Sequence, residues 1–121
     1  MTKKITATII LLVAAVLYIQ AAGAGKPLTI TGRVVDTTCY IAHDGIGPDH
    51  LKCAVMCARA GIPLAILDQQ ADQLYLPLSP DHQNPNAKLM DYVESNVRVT
   101  GKLIEKSGVK GIIIEKIERV G

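Results

Sequence analysis

The sequence contains no phenylalanine and no tryptophan, and only four tyrosines among its 121 residues. It also has little net charge. The formal value is +2, and Lys3 and Lys4 account for that excess, so residues 25–121 are neutral overall. Proteins that bind nucleic acids rely on a basic surface, and those that bind single strands add aromatic stacking platforms. The composition therefore argues against a nucleic-acid partner.

Several chemical motifs are also missing. The chain has neither C-x-x-C nor C-x-x-C-H, which excludes a thioredoxin-like redox motif and covalent attachment of a c-type haem. It has no phosphate-binding glycine loop, no dinucleotide fingerprint and no pair of catalytic carboxylates. The sequence therefore favours a binding or accessory protein over an enzyme, with a protein or a small molecule as its partner.

The one long apolar run lies near the N-terminus. A charged start is followed by Ile9–Ile19 and by the small residues Ala22–Ala24, the three parts of a secretory signal peptide. We therefore predict a signal peptide over residues 1–24 and a mature chain in the periplasm or secreted. The alternative is an uncleaved anchor, because Ile5–Ala24 is just long enough to span a bilayer. The short apolar core and small-residue ending favour cleavage, after which no membrane attachment would remain.

Residues 25–121 have the size of one small domain. Alternating apolar and polar residues and intervening turns predict five strands, over Leu28–Val35, Ile62–Leu67, Gln73–Leu78, Val97–Ile104 and Val109–Val120. A short helix is predicted over Ala87–Glu94, between the third and fourth strands. This is the element order of an OB-fold, a five-stranded barrel, and the alternative is a five-stranded sandwich without closure. Gly32 and Gly101, each inside a strand, predict bulges or sharp bends.

Between the first two strands, residues 36–61 form an insertion that contains every cysteine of the chain. A helix is predicted over Asp49–Ala60, since a proline and an acidic residue precede a run of helix formers. At about 100° per residue, His50, Cys53 and Cys57 fall on one face of this helix. Cys39 is expected at the end of the first strand and His43 in the following glycine-rich loop, which can fold back over the helix.

Three interpretations of these cysteines remain open. One disulfide, from Cys39 to Cys53 or Cys57, would fasten the insertion to the barrel, as is common in exported domains. A Cys53–Cys57 disulfide fits poorly, because residues four apart on a helix rarely match the required separation. The second interpretation is a metal site, and the third is redox or nucleophilic thiol chemistry.

For the metal site, the predicted ligands are Cys39, Cys53 and Cys57, with His50 as the fourth and His43 in reserve. Three thiolates and an imidazole suit tetrahedral Zn²⁺, and thiolates also suit Cu⁺. Asp36 and Asp44 flank the segment, where they either cap local structure or orient an imidazole.

The cysteine-containing segment also resembles part of a known group of proteins. Its T-C-Y-x₂-H…H-x₂-C-A-x₂-C…G-x-P-L pattern, followed by V-x-V-T-G-K, resembles a group of small exported bacterial proteins with an OB-like ending. The likeness covers nearly all of residues 25–121 and implies export and the barrel architecture. The matching positions are Cys39, His43, His50, Cys53 and Cys57. The resemblance assigns no role to them.

Overall fold

The computed structural model describes residues 25–121, and the predicted signal peptide lies outside the described residues. Five strands form, namely β1 (Lys26–Asp36), β2 (Leu64–Asp68), β3 (Gln73–Pro77), β4 (Asn96–Lys106) and β5 (Val109–Arg119). All five lie where the alternating patterns predict them, and their ends differ by at most two residues. Within residues 25–121, no helix is both long enough and apolar enough to cross a membrane.

The strands close into a barrel in the order β1-β2-β3-β5-β4. Every neighbouring pair is antiparallel except β3 and β5, which run parallel through Leu76–Gly111 and Pro77–Ile112. β1 is long enough to pair with β2 at one end and with β4 along most of its length. The OB-like barrel is thus confirmed, and the open sandwich is wrong.

Both strand glycines lie where neighbouring strands approach closely, and a bulge forms opposite Gly101 but not at Gly32. The register of β4 against β5 shifts between Thr100 and Gly101, because β5 has one extra residue, Glu115, at this point and forms a β-bulge there. At Gly32, a Cβ atom would collide with the backbone carbonyl of Leu67. The close approach of β1 and β2 at this point therefore requires glycine.

Aliphatic side chains fill the barrel, which compensates for the missing large aromatics. Leu64, Ile66, Val97, Val99 and Ile112 are all completely buried. The helix of the insertion closes the barrel with two small residues, Ala54 and Ala58, which join the same core. Because they are four residues apart, both lie on the same helix face, and this face packs against the barrel core.

The helical segments differ in part from the prediction. α1 (Thr37–His43) follows β1 directly, so Cys39 lies on a helix rather than at a strand end, and His43 is its last residue rather than a loop residue. The predicted helix in the insertion forms as a 3₁₀ turn, Pro48–His50, that leads into α2 (Leu51–Arg59).

The predicted short helix before β4 is instead a pair of 3₁₀ turns, Pro85–Lys88 and Met90–Tyr92. The second turn ends at Val93, whose backbone leaves the helical region to bridge Val34 of β1. The chain thus rejoins the barrel directly after the second turn.

Candidate metal centre

The position of α1 follows from one side chain at the end of β1. Asp36 is completely buried, and its Oδ1 accepts hydrogen bonds from the backbone N–H groups of Thr38 (2.9 Å) and Cys39 (3.1 Å). This is an N-cap, which satisfies two of the free N–H groups at the start of the helix. Asp44 ends the helix in the left-handed conformation with φ 53°. The capping roles predicted for both aspartates are confirmed.

α2 is held against the barrel by its alanines and by a buried amide. Asn86 accepts from the N–H of Leu64 through Oδ1 and donates through Nδ2 to the carbonyls of Ala58 and Ile62. Because Ala54 and Ala58 face the core, Cys53 and Cys57, each one residue earlier, project to the side of the helix. That side faces α1.

Two groups of ligand atoms form between the helices. In the first, Sγ of Cys39, a ring nitrogen of His50 and Sγ of Cys53 all lie within 4.8 Å of one another. In the second, a carboxylate oxygen of Asp36, Sγ of Cys39 and Sγ of Cys57 meet the same limit. Cys39 belongs to both groups, and we call these five residues the cysteine cluster. A metal ion can be held here, since thiolates and imidazole about 2–2.3 Å from one ion fall within this spacing of each other.

The structure thus gathers three predicted ligands around Cys39, with His50 and Cys53 in the first group and Cys57 in the second. His43, the reserve ligand, is exposed and belongs to neither group. His82, in the loop before the 3₁₀ turn Pro85–Lys88, is also exposed. All three cysteines are free thiols in the described chain.

Unpartnered polar atoms surround this cluster. Among residues 25–121, three buried side-chain oxygen or nitrogen atoms have no hydrogen-bond partner, namely Asp36 Oδ2, His50 Nε2 and Glu94 Oε1. Two of these residues belong to the cysteine cluster, and the third lies close enough to both for their charges to affect its pKa. An unsatisfied buried polar atom costs about 1–3 kcal/mol. Asp36 and His50 are therefore available to bind a cation together with the thiols.

Glu94 is the residue that sequence reasoning missed. Its side chain is almost completely buried, Oε2 accepts from the N–H of Gly47 (2.8 Å), and Arg33 Nη1 lies 3.8 Å from the same oxygen. Arg33 also donates to the Glu94 carbonyl (2.7 Å). Glu94 therefore ties the loop between α1 and α2 to the barrel. No motif identifies it, because it lies far along the chain from the cysteines.

Gly45 is packed directly against two of the ligands. Its N–H donates to the carbonyl of Cys39 at 2.9 Å. A Cβ atom at this position would lie 3.1 Å from both Cys39 Cβ and His50 Cε1, closer than ordinary van der Waals contact. The absence of a side chain at residue 45 therefore lets Cys39 and His50 approach each other.

The charges in the cluster oppose ionisation of its thiols. Burial, followed by the hydrogen bond to Asp36 and the negative charge of its carboxylate, raises the pKa of Cys39 to about 12. Hydrogen bonding to Asp36 and then burial raise the pKa of Cys57 as well. Burial acts to raise the pKa of Asp36, but the N–H of Cys39 and the nearby thiols of Cys57 and Cys39 outweigh it, so this pKa is lowered. Without a cation, the cluster therefore holds an ionised carboxylate beside protonated Cys39 and Cys57.

The pKa of Glu94 is shifted in the opposite direction to the pKa of Asp36. Burial raises its pKa above the ordinary value, although the Gly47 N–H, Arg33 and His50 each act to lower it. The carboxylate of Asp36 adds to the increase. The carboxyl groups of Asp36 and Glu94 therefore influence each other, and the guanidinium of Arg33 lies beside Glu94.

Together, the fold and the site define the class of protein as a small OB-like barrel with a two-helix insertion that can hold a metal ion. Comparison of the chain with protein-family models, with curated proteins and with solved structures finds no match. The case for a function therefore rests on the geometry of the cysteine cluster.

Proposed function

We propose that this chain is an exported metal-binding protein that holds a soft transition metal ion, Zn²⁺ or Cu⁺, between α1 and α2. The observation that carries the proposal is the first ligand group, in which two thiols and an imidazole nitrogen lie within 4.8 Å of one another. Thiolates select such ions over Mg²⁺ and Ca²⁺, which prefer oxygen ligands. Export is supported by the N-terminal pattern and by the resemblance to small exported bacterial proteins.

Exposure supports a site that exchanges its metal. Cys53 is exposed, whereas Cys39 and His50 are half-buried and Asp36 is completely buried. An ion at the first group would therefore touch solvent on the Cys53 side and the protein interior on the other. This suits a protein that takes up or passes on an ion better than one that encloses it permanently.

The pKa values argue against the nucleophilic alternative. A reactive cysteine is activated by a lowered pKa, usually beside a positive charge. Cys39 and Cys57 instead have raised pKa values and share a negatively charged neighbour, Asp36. Metal binding overcomes this, because a cation displaces the thiol protons. The disulfide alternative requires oxidation, since the structure holds three free thiols.

Elemental analysis tests the proposal. Protein purified from its own compartment without oxygen should contain at least one equivalent of zinc or copper, and Cys39→Ser should lose it. Lys52→Ala, an exposed change on the same helix as Cys53, is the matched control and should keep the metal. Less than about a tenth of an equivalent in the unaltered protein would contradict the proposal, because thiolate sites of this kind bind tightly.

Intact mass of the same sample tests export. The mass should correspond to a chain that begins at Gly25. A chain that retains Met1 would show that the N-terminal segment is not removed.

A further inference from the structure

The second ligand group of the cysteine cluster is not used by a single ion at Cys39, His50 and Cys53. It consists of Asp36, Cys39 and Cys57, again with all three ligand atoms within 4.8 Å of one another. We infer that the cluster holds two divalent ions of the zinc type, an outer ion at the first group and an inner ion at the second, with the Cys39 thiolate bound to both. This inference rests on the proposed function and extends it to a second position.

The carboxylate of Asp36 has a fixed orientation and one oxygen available to bind the inner ion. Oδ1 is held by the N–H groups of Thr38 and Cys39, which fix the orientation of the carboxylate. Oδ2 is buried and has no hydrogen-bond partner. Carboxylates that bind metals are themselves held by hydrogen bonds in this manner. Capping uses only Oδ1, which leaves Oδ2 available to bind a cation beside the thiols of Cys39 and Cys57.

A second divalent cation would also balance the charges of the cluster. One divalent ion would balance the thiolates of Cys39 and Cys53 and leave the buried Asp36 carboxylate beside Cys57 uncompensated. Burying an unpaired charge is unfavourable. Two divalent ions balance the three thiolates and this carboxylate completely, while Glu94 already has Arg33 within 3.8 Å.

The spacing is compatible with a shared sulfur. A Zn–S bond is about 2.3 Å, so two ions on one thiolate lie at most about 4.6 Å apart. Pairs of ions in two-metal sites are typically about 3.5–4 Å apart, inside this limit. Cys39 lies within 4.8 Å of the ligand atoms on both sides, which places its sulfur where a bridge has to be.

A zinc titration of the reduced protein without oxygen, followed by removal of free metal and elemental analysis, tests the inference. The unaltered protein should retain two equivalents. Asp36→Asn should retain one, because asparagine preserves the helix cap but not the negative charge. Cys57→Ser removes a ligand of the inner ion without touching the cap, and should also retain one. His82→Gln, in an exposed loop, is the control and should retain two.

Cadmium-113 NMR gives a second measurement on the same variants. The unaltered protein should show two signals that are coupled to each other through the shared sulfur, and Asp36→Asn should show one. A single equivalent in the unaltered protein would overturn the inner site and leave the proposed function intact. Two equivalents that persist in both Asp36→Asn and Cys57→Ser would also overturn it. No bound zinc, copper or cadmium would overturn the proposed function itself.

Discussion

The barrel and its insertion follow different physical rules. The core of the barrel consists of aliphatic side chains, and Leu64, Ile66 and Ile112 are completely buried there. The insertion contributes two buried residues to this core, Ala54 and Ala58, with Val55 partly buried beside it, and α1 contributes no buried residue. Burial of apolar area stabilises the barrel, whereas the insertion depends on caps and individual hydrogen bonds.

The two regions also differ in how their polar groups are satisfied. Asn86, buried where α2 meets the barrel, uses both its oxygen and its nitrogen in hydrogen bonds. The three buried side-chain atoms without partners among residues 25–121 all lie at or beside the cysteine cluster. The buried amide of Asn86 forms hydrogen bonds through both its polar atoms, whereas Asp36, His50 and Glu94 each have one buried atom without a hydrogen bond. This difference indicates that the cluster is adapted to binding rather than to stability. The barrel supports the site, and the site lowers the stability of the metal-free fold.

The largest effect should come from a cavity in the barrel. Ile66→Ala removes a completely buried side chain, so the free energy of unfolding of the metal-free protein should fall by about 2–5 kcal/mol. The zinc affinity of the folded fraction should stay within about twofold, because the change touches no ligand. Chemical denaturation and zinc titration at low temperature measure the two quantities.

If Ile66→Ala does not fold, Ile66→Val provides the same comparison at a cost of about 0.5–1.5 kcal/mol. A folded variant that has lost zinc binding would show that barrel and site are not separable.

A smaller effect should appear when the pH is changed. Because the pKa of Cys39 is about 12, its thiol is protonated in the metal-free protein at pH 6–8, and the proton has to leave when metal binds. The pKa of Cys57 is also raised, so its thiol likewise has to lose a proton when metal binds. The metal association constant should therefore rise with pH, by about tenfold per unit for each thiol proton released.

Calorimetry in buffers of different ionisation enthalpy counts these protons directly. Asp36→Asn should release fewer protons than the unaltered protein, because it loses the ion bound to Cys57. An association constant that does not change between pH 6 and 8 would contradict binding through Cys39.

Most of the barrel could be predicted from the sequence, because alternation of apolar and polar residues is a local signal that survives in the fold. α1 could not. Thr37, Thr38 and Ile41 are β-branched and favour strands in isolation. What makes the segment helical is the Asp36 cap and the left-handed ending at Asp44, and both depend on how the chain leaves β1.

The grouping of Cys39, His50, Cys53 and Cys57 could be predicted for a similar reason, since all four lie in one short segment. Their division into two groups could not, because it depends on the angle at which α1 meets α2. Asp36 was expected only as a cap or a partner of an imidazole, and its second oxygen becomes available only because the first is used by the cap. Glu94 is brought to the site by the closure of the barrel, which no local pattern encodes.

The smallest effect should come from adding one methyl group at the boundary of the two regions. In Gly45→Ala, the new Cβ would lie 3.1 Å from Cys39 Cβ and from His50 Cε1, so both ligands have to move by a few tenths of an ångström. We expect zinc affinity to fall by about fivefold, since ligand geometry outside the ideal weakens a metal site. The unfolding free energy of the metal-free protein should hardly change, because Gly45 lies outside the barrel core. Gly45→Val should lower the affinity further, whereas Lys52→Ala should leave it unchanged. If Gly45→Ala lowered stability without lowering affinity, the glycine would serve the loop rather than the metal.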